Sequence, residues 1–157
     1  MNSAIERLLT LRVSDVMNKR VVSISSTDTM EHAAQTLLEH SISGAPVLNE
    51  RLRCAGMLSA IDFVKKQGGK TQGNGSTQEN HETPEPVRIV ECDKELVCKH
   101  MTPNVQSIAA SQPLLSAARM MCDRHIHRLP VLDENCRPVG IITASDVVAA
   151  LVNAIDE

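Results

Sequence analysis

One unit of this chain occurs twice without a gap. An offset of 84 positions, from Val13 to Val97, also carries Met17 onto Met101, Ile24 onto Ile108 and Ala33-Ala34 onto Ala117-Ala118. The same offset carries Pro46-Val47-Leu48 onto Pro130-Val131-Leu132, Gly56 onto Gly140 and Asp62 onto Asp146. Repetition of a whole unit restricts the fold more than local propensity does, because both copies must adopt one architecture. Each copy has only about 55 residues, which is marginal for a separate core. Two copies packed face to face are therefore expected.

Within the second copy, residues 129–132 and 139–142 are short apolar runs of strand length, separated by the turn-forming Asp133-Glu134-Asn135. Thr143-Ala144-Ser145-Asp146 follows, and then Val147, Val148, Leu151, Val152 and Ile155 at helical spacing. A hairpin leading into a helix is predicted, with two hydroxyls and a carboxylate at the helix start and His127-Arg128 at the mouth of the first strand. Helix N-termini are where anions bind.

The first copy has the same order. Residues 13–17 lead into an apolar run at 21–24, and Asp28-Thr29-Met30-Glu31 has the spacing of a capping box with Asp28 as N-cap. Met30, Ala33, Ala34, Leu37 and Leu38 form the expected apolar stripe of a helix, matched by Leu114, Ala117, Ala118, Met121 and Cys122, with Pro113 acceptable in the first turn. Strands are predicted at 45–48 and 55–58 around a turn at 49–51, with Ser59-Ala60-Ile61-Asp62 opening another helix. Between the copies, residues 66–86 contain Gly, Gln, Thr, Asn and Glu but no large apolar side chain, the composition of a flexible insert. Residues 87–90 could add a short strand. The expected division is thus 1–65 for the first repeat with an N-terminal helix, 66–90 for the insert, and 91–157 for the second repeat.

Composition narrows the function. Phe63 is the only aromatic residue, so the stacking platforms common in single-strand nucleic-acid binders are missing. A net charge of -3 argues against a general phosphate-backbone binder. The segment MNSAIERLLTL places Glu6 and Arg7 among its apolar residues and reads as an amphipathic helix, not as a signal peptide or membrane span. Cysteines at 54, 92, 98, 122 and 136 make no CxxC pair, and an odd number suggests reduced thiols in a cytoplasmic protein.

The unit V-x-x-V/H-M, S-I, A-A, P-V-L, G-h-h-[ST]-x-x-D (h, apolar) resembles the CBS domain (cystathionine-β-synthase type), present as a tandem pair or Bateman module. The resemblance spans nearly everything outside residues 66–96. It implies a mixed α/β fold: two βαββα repeats packed sheet to sheet about a pseudo-two-fold axis, with two clefts that in many members bind adenine nucleotides. It also implies homodimers and a regulatory, noncatalytic role exercised through an effector protein. Carried across residue by residue, Asp146 matches the carboxylate that holds ribose hydroxyls. Thr143 and Ser145 match hydroxyls near phosphate, and His127 and Arg128 match a phosphate-contacting basic pair. In the first repeat Ser59 and Asp62 match their counterparts, but Ser43-Gly44 replaces the basic pair and Ile61 replaces Ser145. Lys19 and Arg20 are the charges available nearby in sequence.

Ser59-x-x-Asp62 and Thr143-x-x-Asp146 also fit plain capping boxes, and the capping and binding roles can coexist. The expected ligand is AMP, ADP or ATP, with no resident cofactor or metal. Two other readings stay open: a ligand-free dimerising scaffold, and a metal or redox sensor using Cys92, Cys98 and His100, whose spacing fits no compact zinc template. Ser, His and Asp occur without a nucleophile elbow or a paired-acid pattern.

Overall fold

The computed structural model describes residues 3–68 and 94–156. Helix α1 (Ser3–Thr10) is followed by the single turn α2 (Val13–Val16). The first repeat then runs β1 (Ile24–Ser25), α3 (Met30–Glu39), β2 (Gly44–Leu48), β3 (Cys54–Ser59), α4 (Ala60–Gly68). The second half opens with a 3-10 turn (Val97–Lys99) and β4 (Thr102–Pro103), continuing through α5 (Leu114–Arg124), β5 (Arg128–Leu132), β6 (Pro138–Thr143) and α6 (Ala144–Asp156). This is the expected mixed α/β architecture of two βαββα repeats. The opening strand of the second repeat is reduced to one parallel bridge, Ile108 to Val131, which mirrors Ile24 to Val47 in the first. Helix α4 takes in Lys66–Gly68, the first three residues of the segment expected as an insert; the rest of that segment, including 87–90, lies outside the described residues.

The repeats exchange their leading arms. Val13 N–H donates to the Gln112 carbonyl at 2.9 Å and Leu114 N–H to the Leu11 carbonyl at 2.9 Å. In the other direction, Val97 N–H reaches the Asp28 carbonyl at 2.8 Å and Met30 N–H the Glu95 carbonyl at 2.9 Å. Strand β4 pairs antiparallel with β3 of the first repeat through Gly56–Pro103 and Met57–Thr102, while Asn18 forms the equivalent bridge to Ile141 of the second. These contacts obey the same 84-residue offset in both directions, so the pseudo-two-fold is visible in the hydrogen bonds themselves.

Exchange also completes the cores. One gathers Ile108, Leu114, Ala117, Met121, Leu129, Val131, Ile142 and Ala150 around Val13; the other gathers Ile24, Met30, Ala33, Leu37, Ala45, Val47 and Leu58 around Val97. Each valine comes from the opposite arm and is wholly buried. Glycine permits the close approach: a Cβ at Gly56 would lie 2.7 Å from the Thr102 carbonyl oxygen, and one at Gly140 2.5 Å from Met17 Sδ.

Two local expectations are corrected. The N-cap of α3 is Thr29, whose hydroxyl accepts from His32 N–H at 3.2 Å, and not Asp28. The Asp28 carbonyl is taken by Val97, and its carboxylate sits 3.1 Å from His32 Nδ1. The apolar stripes are also narrower than expected, since Leu38 is 74% exposed and Cys122 is exposed too. At i+8 each has rotated off the buried line set by positions i, i+3 and i+7.

Candidate functional site

Each hairpin ends where its following helix starts, so backbone geometry gathers the candidate groups. In the second repeat Thr143 is the last residue of β6 and the cap of α6. Asp146 Oδ2 accepts Thr143 N–H at 2.8 Å and Thr143 Oγ1–H at 2.8 Å, and Asp146 N–H returns a bond to Thr143 Oγ1 at 3.2 Å. That is a complete capping box. All of Asp146's bonds to Thr143 side-chain and backbone donors fall on Oδ2, which leaves Oδ1 without a partner among the described residues. Ser145 is exposed beside it. In the first repeat, Asp62 Oδ2 accepts Ser59 N–H at 2.9 Å and Ser59 Oγ–H at 3.3 Å, and Asp62 is buried, at 5% exposure. The same motif is thus more open at α6 than at α4.

The two helix starts are linked by one side chain. Arg128 lies directly across the hairpin from Thr143, as Gly44 lies across from Ser59. The Arg128 guanidinium crosses to the first repeat, where Nη2 donates to Ser43 Oγ. It rests on Gly44, where a Cβ would lie 2.4 Å from Nη1. Ser43-Gly44 and His127-Arg128 are equivalent positions of the repeat, so the small pair on one side makes room for the cation from the other. Burial lowers the pKa of Arg128, because the half-buried guanidinium has lost part of its hydration. Its described partner is a hydroxyl, and no carboxylate forms an ion pair with it among the described residues.

His127 is exposed; its carbonyl, at 2.9 Å from Ala144 N–H, ties the strand mouth to α6, as Ser43 does for Ala60 at 3.0 Å. The structure therefore brings Thr143, Asp146, Arg128, Ser43, Ser59 and Asp62 to one end of the two hairpins. Lys19 and Arg20 are exposed and follow the Asn18 bridge, where Arg20 N–H is held by Asn18 Oδ1 at 2.9 Å. Elsewhere, Glu95 bonds His100 Nε2 and lies 3.6 Å from Lys66 Nζ, fastening the end of α4 to the incoming arm. Cys98 is exposed, Cys92 is outside the described residues, and no cluster of three or more His, Cys, Asp or Glu suited to a metal occurs among those described. Ser43 and Gly44 are the site residues that sequence reasoning undervalued. They read as a loss of the basic pair, whereas they are the seat of the one that remains.

Paired hairpins, exchanged arms, two capped helix starts and one cation reaching from the second repeat to the first define a tandem α/β module built around its own pseudo-symmetry. The chain belongs to the CBS domain family, whose sequence pattern matches residues 13–69 and again 94–153. An uncharacterized protein of Methanocaldococcus jannaschii is 27% identical over 158 residues, covering 89% of this chain and 90% of that protein. Among solved structures, CBSX2 in complex with AMP superposes with a TM-score of 0.72 at 24% identity, covering 93% of this chain and 98% of that one. The CBS domain pair of protein MJ0100, in complex with 5'-methylthioadenosine and S-adenosyl-L-methionine, also gives 0.72, at 22% identity, covering 91% and 97%.

Proposed function

We propose that this CBS pair is a regulatory ligand-sensing module. It takes an adenine nucleotide (AMP, ADP or ATP) between its repeats and passes a change of conformation to an effector protein in the cytoplasm. The observation that carries this reading is Arg128: a partly desolvated guanidinium, answered by the hydroxyl of Ser43, at the meeting of two helix starts. An anion supplies the charge-assisted, bidentate partner that such a group lacks. The N-termini of α4 and α6 add partial positive charge on the same side.

Asp146 holds the ribose hydroxyls with its open Oδ1, Thr143 and Ser145 meet phosphate at the start of α6, and His127 contributes from the strand mouth. Ser59 and Asp62 serve a second, tighter cleft. A carboxylate already fixed by a cap, hydroxyls and a guanidinium are groups that bind and orient, which fits regulation better than catalysis. Complexes of similarly folded pairs with AMP and with S-adenosyl-L-methionine support an adenosyl ligand. The response can be no larger than the ligand's difference in affinity between two arrangements of the repeats.

Thermal-shift assays with AMP, ADP, ATP, S-adenosylmethionine, NADH and guanine nucleotides test the proposal. They need an external dye, because Tyr and Trp are absent. A ligand at 100 times its Kd stabilises by about 2.7 kcal/mol. A panel in which no adenine nucleotide raises the melting temperature would overturn the reading.

A further inference from the structure

Cys54 opens β3 in the first repeat, and Cys136 lies in the turn between β5 and β6 of the second. Folding brings them into direct backbone contact: Cys54 N–H donates to the Cys136 carbonyl at 2.8 Å. Ordinary bond lengths then leave the two α-carbons roughly 5–6 Å apart, inside the span of about 4.4–6.8 Å found in disulfides. By the 84-residue offset their equivalents are Pro138 and Leu52, so the thiol pair occurs on one side of the pseudo-two-fold. Cys54 Sγ makes a 3.5 Å contact to the Gly56 carbonyl on its own strand, and Cys136 is exposed. Burial above all raises the Cys54 thiol pKa; the Gly56 bond opposes this, and the neighbouring Cys136 adds to it. Cys136 is therefore the accessible attacking thiol, and Cys54 the one that closes the bond.

We propose that Cys54 and Cys136 are a covalent modification site, forming a reversible disulfide that staples the two hairpins together across the repeats. The oxidant is a low-molecular-weight disulfide, RSSR. The Cys136 thiolate attacks one of its sulfurs, breaking the S–S bond and releasing RS⁻. The Cys54 thiolate then attacks Cys136 Sγ and releases the second RS⁻. The two thiol protons pass through solvent to the released thiolates, so one RSSR is reduced to two RSH as one protein disulfide forms. The closed loop runs from one repeat into the other, so it restricts the unfolded chain and fixes one hairpin against its counterpart.

The test incubates the full chain with oxidised glutathione, followed by alkylation, nonreducing peptide mapping and dye-monitored melting. A cross-linked peptide joining Cys54 to Cys136 within one molecule is expected. The melting temperature should rise on the order of 10 °C, and dithiothreitol should reverse both changes. Cys136→Asn, chosen because Asn tolerates the left-handed backbone there (φ 59°), should make melting insensitive to the oxidant. The assignment fails if both thiols remain open to alkylation after Cys98 and Cys122 have been consumed. It fails equally if either thiol links to Cys92, Cys98 or Cys122 or to a second molecule, or if the linked protein melts no higher than the reduced one.

Discussion

The hydroxyl of Ser43 holds the Arg128 guanidinium, and under the proposed function a nucleotide phosphate would compete for the same group. Removing the competitor should help the ligand. Ser43→Ala is expected to strengthen AMP binding by the low end of a charge-assisted hydrogen bond, ~1.5 kcal/mol or roughly tenfold, and to leave adenosine unchanged in calorimetric titration. Arg128→Ala should do the reverse to AMP, again sparing adenosine. Asp146 caps α6 and, under the proposed function, also holds ribose, so alanine would remove both roles together. Loss of hydrogen bonds to a charged group costs about 1.5–3 kcal/mol, so nucleotide affinity should fall roughly 10- to 150-fold. The preference for a ribonucleotide over its 2'-deoxy analogue should vanish as well. Loss of the capping box should also lower stability by about 1 kcal/mol. An Asp146→Ala protein that melts lower yet binds AMP unchanged would leave only the cap. Asp62→Ala should affect binding less, because that carboxylate is the more enclosed of the two.

Strands and helices carry a different kind of constraint, set by how closely the exchanged arms approach the hairpins. A Cβ at Gly56 meets a backbone oxygen, Thr102 O at 2.7 Å, and Met101 Sδ at the same distance. At Gly140 the tight neighbour is the Met17 side chain, with Asn18 O farther off at 3.2 Å. A methionine can change rotamer and a paired backbone cannot, so Gly56→Ala should destabilise by about 1–3 kcal/mol and Gly140→Ala by less. Urea unfolding followed by circular dichroism would rank them, and equal losses would contradict the rigid-backbone argument. The hairpins and their helices were legible in the sequence because their signals lie within a few residues: Asp133-Glu134-Asn135 between apolar runs, Thr143-x-x-Asp146 before a helical stripe. The arm exchange was not legible, for a reason of symmetry. Val13 and Val97 are equivalent positions, so swapping the arms between the halves alters no local pattern. The cap of α3 was misplaced by one residue because Asp28 and Thr29 are both competent caps, and only the distant Val97, bonded to the Asp28 carbonyl, decides between them. The Ser43 seat for Arg128 was hidden in the same way, being a contact across 85 residues.

Taken whole, the molecule leaves apolar surface on its helices that its own cores do not use. Helix α6 buries Ala150 and Ala154 but exposes Val148, Val152 and Ile155; α4 exposes Ile61 and Val64, and α1, which packs against α6, still exposes Ile5 and Leu9. Single exposed apolar residues are ordinary, whereas successive ones along equivalent helices mark an interface. Helices α4 and α6 are equivalent in the repeat, so an interface using both can be self-complementary, as a two-fold dimer requires. A homodimer through these faces is therefore expected, with effector contacts left to the surfaces outside it. Val148 and Val152 lie one turn apart on α6. Burying a large apolar side chain is worth about 1.5–3 kcal/mol, and a charge in its place forfeits that and leaves an ion to desolvate. Val148→Asp with Val152→Asp should accordingly weaken self-association by at least roughly 100-fold, while the folded spectrum persists because neither side chain belongs to a core. Sedimentation velocity at micromolar concentration decides the matter: the unsubstituted chain should run as a dimer and the doubly substituted one as a monomer. A monomeric unsubstituted chain would remove the interface, and an undiminished dimer after both substitutions would move it away from α6.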